Sequence, residues 1–222
     1  MLSRSIALLI LAVAPLVAIA QGCGSLKNLY GPFDYRTDKK HLELVEAYHF
    51  TPDVAALRRG STGAIGSDLD YTLRAFPNHH LALNAMANLA LKMNTERPRG
   101  ARYTVDCYFD RALTFAANDG LVRIIYGVYL SRTNRPRDAV RVLEAAKQYE
   151  PGNPNLFYNL GLAYCDLKDY PNALKNAHEA YRLGSPFPGL RDKLEAAGRW
   201  REEPASDELG GAASAKGPAA PK

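Results

Sequence analysis

The sequence predicts an all-α chain assembled as a stack of helix–turn–helix units. Three observations carry that prediction. Small residues recur in one register: Gly161, Ala173 and Ala180 stand 34 residues after Gly127, Ala139 and Ala146, and Ala112 stands 34 before Ala146. A period of that length marks units that stack because none can bury its apolar face alone. Each small residue also has a packing reason, since two helices approach closely only where side chains are no larger than a methyl group. Finally, 222 residues at 47% hydrophobic, rich in Ala and Leu and poor in β-branched runs, fit one modest helical domain.

In chain order, residues 1–20 read as a targeting segment. Arg4 supplies the positive start, residues 6–20 are apolar, and Ala18-Ile19-Ala20 is a small-residue cleavage site. The apolar run of about 15 residues is short for a membrane span. Cleavage before Gln21 would release the chain to the periplasm or exterior. A rival reading takes Ala20-Gln21-Gly22-Cys23 as a lipoprotein box, with a lipidated Cys23 anchoring the chain to the outer membrane; its match to the usual Leu-Ala/Ser-Gly/Ala-Cys is poor. Residues 21–40 contain Gly31-Pro32 and no helical period, so they form an extended lead-in. Leu29, Tyr30, Phe33 and Tyr35 make it too apolar for a free linker, and it should lie on the helical domain.

Residues 41–79 hold N-terminal helices and a half repeat. Residues 41–50 place Leu42 and Val45 on one side of a helix. Thr51 is the expected N-cap of a helix over 52–59, with Pro52 at its first position and Gly60 beyond its end. A helix over 67–75 ends at Phe76-Pro77-Asn78. The next unit, 80–119, pairs helices at 80–91 and 103–115, separated by an insertion at 94–100. Units at 120–153 and 154–187 follow, the first with helices at 120–131 and 136–149, where Pro136 falls in a first turn that needs no N–H. Residues 189–200 form an amphipathic helix within a cap at 188–202, its Leu190, Leu194 and Trp200 covering the end of the stack. From Arg201 periodicity is lost, and the Gly/Ala/Ser/Pro-rich tail, residues 203–222, is expected to be disordered.

The unit at 155–183 runs Phe157, Leu160-Gly161, Tyr164, then Ala173, Ala177 and Ala180. That spacing follows the pattern W-x₂-L-G-x₂-Y…A-x₃-F, with Phe157 for the Trp and Ala177 for the Phe. On these residues the chain resembles the tetratricopeptide repeat (TPR) superfamily over roughly residues 77–183. The resemblance implies a right-handed α-solenoid of three units and a non-catalytic scaffold that binds a protein or extended peptide on the concave face of its first (A) helices. Its likeness to bacterial TPR proteins of pilus, secretion and polysaccharide systems implies an adaptor that assists an envelope or secretion complex. By register the groove residues are Asn84 and Asn88, beside Leu81, in the first unit. The second supplies Leu121, Ile124, Ile125 and Val128, and the third Asn155, Tyr158, Asn159 and Leu162. Asn88 fits the clamp by which some TPR domains grip an acidic C-terminus, but Asn84, Ile125, Asn155 and Asn159 lack its Lys and Arg partners, so an acidic tail is not the expected ligand. Amides at i,i+4 spacing suit pairing with an extended peptide backbone. Asn88→Ala and Tyr158→Ala are expected to weaken binding without lowering stability.

Other chemistries find little footing. The net charge of +5 is spread along the chain and does not argue for nucleic acid. There is no nucleophile elbow, HExxH, P-loop or dinucleotide fingerprint, and nothing calls for a cofactor. His79-His80, with Asp68 and Asp70 upstream, is the one cluster that suggests a metal or enzymatic role, although its spacing matches no closed zinc site. Of three cysteines, Cys107 and Cys165 lie about 20 Å apart by stacked-helix distances, beyond the roughly 7 Å a disulfide spans between Cα atoms. Three free or modified thiols remain one outcome. In the other, the lead-in brings Cys23 to Cys107, which sits nearer the outer face than Cys165.

Overall fold

The computed structural model describes residues 22–202. The targeting segment, its cleavage site and the tail at 203–222 lie outside the described residues. Among the described residues ten helices follow in order: α1 (Lys39–His49), α2 (Pro52–Ala55), α3 (Ile65–Ala75), α4 (His80–Met93), α5 (Val105–Phe115), α6 (Gly120–Arg132), α7 (Pro136–Ala146), α8 (Pro154–Asp166), α9 (Tyr170–Arg182) and α10 (Gly189–Ala196). Among the described residues there is no strand. The helix starts follow from polar side chains: Thr104, Asp119, Asn153 and Asp169 each accept a first-turn N–H at the head of α5, α6, α8 and α9. Pro136 and Pro154 occupy the first positions of α7 and α8, where no N–H is needed.

Four helices are shorter than the sequence suggests; α5 begins at Val105 rather than at residue 103, and three others end early. α2 stops at Ala55 because Leu57 adopts a left-handed backbone, and the Asp53 carboxylate draws Arg58 and Arg59 back onto the turn at 2.8 and 2.7 Å. Thr51 does not cap α2 with its side chain; its hydroxyl pairs with Ser61 at 2.9 Å. α7 ends at Ala146 and α10 at Ala196, before the residues where periodicity alone would end them.

Neighbouring helices pack pairwise, α6 on α7 and α8 on α9, and the first members contact one another, α4 on α6 and α6 on α8. One core runs through the stack from Val54 and Leu69 to Leu160 and Ala180. Gly127 leaves space that the Leu143 side chain of α7 fills, so a Cβ there would overlap it. One period later Leu143 is replaced by Ala177, and the space beside Gly161 is filled instead by Leu190 of α10. The cap therefore supplies the side chain that the last pair lacks.

The lead-in crosses the outside of α5 and α3 before entering α1. Cys23 is joined to Cys107 in the first turn of α5. Arg111, one turn on, donates from Nη1 to the carbonyls of Cys23, Gly24 and Ser25 at 2.9, 3.2 and 2.8 Å. Gly31 passes so close to the Ala75 carbonyl, at φ +94°, that no side chain fits there. The Phe33 N–H then bonds that same carbonyl at 2.9 Å. Tyr30, Phe33 and Tyr35 cover Leu42, Val45, Ala75 and Phe76, while Leu29 points fully into solvent. Closing a covalent loop across 84 residues removes denatured-state freedom amounting to about 4.5 kcal/mol in the entropic treatment.

Replacing Leu190 by Ala leaves the gap beside Gly161 and Ala177 empty. The expected cost is about 2–5 kcal/mol in denaturant unfolding. A loss under about 1 kcal/mol would contradict the cap's role as the filler of the last pair.

Candidate functional site

One stripe of α4 and one of α6 is the less covered face of its helix: on α4 it carries exposed Leu81, Asn84 and Lys92 with half-buried Asn88, and on α6 exposed Leu121 and Arg132 with half-buried Ile125 and Val128. The spacing is the i, i+3/i+4 repeat of a single helical face. Leu81 and Leu121 are 57% and 37% exposed, unusually open for leucine at matching places on adjacent helices. Arg132 ties the stripes together, donating from Nη1 to Asn88 Oδ1 at 2.6 Å. At their C-terminal ends the 94–100 insertion contributes Asn94, Thr95 and Glu96, and α6 contributes Tyr129, Arg132 and Thr133, to a cleft of ≈ 270 Å³. The insertion is not a free loop. Its far end returns to α3, where the Arg102 N–H and the Tyr108 hydroxyl meet Asp70 Oδ1 at 3.2 and 2.5 Å.

The sequence-derived groove set is divided by the structure. Asn84 and Leu121 lie open, and Asn88 and Val128 lie half-buried on the same stripes. Ile124 does not: it is 7% exposed and belongs to the core, and Ile125 beside it is half-buried against the same core. One residue of helix rotates a side chain by about 100°, and the packing of α6 on α7 and α8 decides which isoleucine turns inward. On α8, Asn155 is exposed, but Asn159 spends its amide on the Asn155 carbonyl at 2.7 Å. Tyr158 packs against Phe187 with ring centroids 5.5 Å apart and abuts Gly189, and Leu162 packs against the α10 cluster. The cap therefore covers these two, and truncating Tyr158 would disturb the cap as well as any ligand. Arg132 was missed by the repeat register, although it lies four residues beyond Val128; extending the stripe by one more turn finds both Arg132 and Lys92.

His79, His80, Asp68 and Asp70 are not brought to a common point. His79 is fully buried and caps α4: its Nδ1 accepts the Ala82 N–H at 3.2 Å, which leaves Nε2–H to donate to Glu46 at 3.2 Å. Burial, reinforced by His80, pushes its pKa down to about 3, so the ring is neutral, as the cap requires. His80 Nε2 lies 2.9 Å from both oxygens of Asp119. Asp68 is enclosed by the Ser61 and Thr62 N–H groups, the Thr62 hydroxyl and His49. Burial would raise its pKa, but these hydrogen bonds hold it below the usual carboxylate range. Asp70 takes Tyr108 and the Arg74 guanidinium, the latter at 2.8 Å. Among the described residues no three His, Cys, Asp or Glu side chains converge on a metal position.

Comparison with protein-family models and with curated proteins gives no match to the chain.

The buried neutral His79 makes a prediction with a definite sign. Its folded pKa lies below the unfolded value of about 6.5, so its contribution is complete above that value and is lost as pH falls toward about 3. Relative to His79→Asn, the wild-type protein should lose about 1.4 kcal/mol per pH unit between roughly pH 6 and 4.5. This window lies above that of the depressed carboxylates Asp68 and Asp119, which act below about pH 3.9. Parallel stability profiles for the two proteins would show that His79 is not held neutral.

Proposed function

We propose that the chain is a right-handed TPR-type α-solenoid working as an exported, non-catalytic adaptor, and that it binds a partner protein in extended form across the concave face of α4, α6 and the first turn of α8. The observation that carries this reading is the pair of aligned stripes. Leu81 and Leu121 offer open apolar contact at the same level of adjacent helices. Asn84 of α4 and Asn155 in the first turn of α8 are also exposed. Such a surface suits a segment lying across the helices, with main-chain groups met by amides and side chains by leucines. The small-residue period and the pairwise packing of the helices support the TPR-type architecture.

The disulfide supports export, because such bonds persist in oxidising compartments. With its sulfur bonded to Cys107, Cys23 has no thiol for a thioether, which favours the soluble form over the lipid-anchored one. Among the described residues no helix is long and apolar enough to cross a membrane. The adaptor reading is preferred to an enzymatic or metal role for His79 and His80 because both rings hydrogen-bond within the fold.

The test is capture of the partner from the native envelope fraction by the mature protein, followed by affinity measurement on variants. Asn84→Ala and Leu121→Ala should each weaken binding by about 1–3 kcal/mol, roughly 5- to 150-fold, while leaving the melting temperature nearly unchanged. Arg137→Ala, on the exposed side of α7, should have little effect. Binding that survives both stripe variants and fails in Arg137→Ala would move the interface to the convex face.

A further inference from the structure

We propose that the Cys23–Cys107 bond is a thiol-exchange site, at which an external thiolate attacks Cys23 and displaces Cys107. The inference is independent of the groove reading and rests on how the two sulfurs are placed. A cavity of ≈ 540 Å³ opens beside the lead-in, lined by Gly22, Cys23, Leu26, Asp110, Arg111 and Thr114. Cys23 lines it and Cys107 does not. Displacement at a disulfide requires the nucleophile to approach behind the sulfur attacked, opposite the leaving sulfur. The cavity opens on Cys23, the sulfur that an external thiol can reach from it.

The leaving side is equally defined. Cys107 is the third residue of α5, and its N–H bonds the Thr104 hydroxyl at 3.3 Å. A thiolate formed in the first turn of a helix is stabilised by the N-terminal end of the helix dipole. In the exchange the external sulfur bonds Cys23 Sγ as the Cys23–Cys107 bond breaks. The electron pair departs on Cys107, and one disulfide replaces another without net oxidation. Arg111, only 4% exposed, keeps its hold on the Cys23, Gly24 and Ser25 carbonyls, independently of the sulfur bond. The adduct on Cys23 therefore stays beside Cys107, which reverses the reaction as the resolving thiol. The ligand class is a thiol, on a small molecule or on a protein.

Asp110 gates the access. Its Oδ2 lies 3.8 Å from Cys23 Sγ and lines the same cavity, and it disfavours a thiolate more strongly the more net negative charge the thiol carries. The same feature separates the small-molecule sources of thiol in experiment.

The test treats the folded, oxidised protein with limiting reduced glutathione and maps the adducts after acid quenching. Glutathione on Cys23, with Cys107 as a free thiol and the buried Cys165 unmodified, is expected. Asp110→Asn should speed exchange several-fold with glutathione, whose attacking thiolate carries further net negative charge, and far less with cysteamine, whose ammonium group balances its thiolate. Adducts on Cys107 would overturn the proposal. So would exchange that appears only at denaturant concentrations that also expose Cys165. Equal acceleration of both thiols by Asp110→Asn would remove the electrostatic gate.

Discussion

Asp119 ties three parts of the chain at one buried carboxylate. It caps α6 through the Val122 N–H, accepts the Asn78 amide at 2.9 Å and meets His80 at the head of α4. Asn78 extends the knot, donating to Asp34 and accepting the Tyr35 N–H of the lead-in. Arg36 lies 3.6 Å from Asp119 and also pairs with Asp34. Burial would push the Asp119 carboxyl up, but His80, Asn78 and the Val122 N–H outweigh it and hold the group ionised. A buried carboxylate is costly unless every partner is in place. The first turns of α4 and α6 are consequently fixed side by side, and the lead-in is fixed with them.

That registration is what makes two helix faces into one surface. Leu81 and Leu121 hold the same second position of α4 and α6, both exposed, and Arg132 reaches Asn88 across the gap. Packing then sets where the surface stops. The last pair carries Ala177 where the pair before it has Leu143, so Leu190 must enter from α10. The segment leading into that helix brings Phe187 and Gly189 over Tyr158. The feature that completes the core thus closes one end of the open face.

Helix existence was legible in the sequence wherever periodicity and small residues agreed, as at Gly127, Ala139, Gly161 and Ala173. Those residues report contacts between helices adjacent in sequence, which a fixed register reproduces. Helix ends were less legible. Leu57 turns left-handed because Asp53 gathers two arginines, an interaction that no propensity encodes. The surface set was legible only to within one residue of rotation, since Ile124 and Ile125 differ in what α7 and α8 leave uncovered. Histidines 79 and 80 suggest a site when read as neighbours, yet their rings reach Glu46 and Asp119, more than 30 residues away in opposite directions along the chain. Whether Cys23 is bridged at all was left open by the sequence; only the preference for Cys107 over Cys165 as its partner was legible, from where those two sit on their helices.

The central claim is that the aligned open faces of α4 and α6 form the binding surface. Backbone hydrogen exchange of the mature protein, measured with and without its captured partner, tests this most directly. The account predicts slowed exchange concentrated in α4, α6 and the first turn of α8, with α5, α7 and α9 unchanged. Protection confined to α5, α7 and α9 would contradict it.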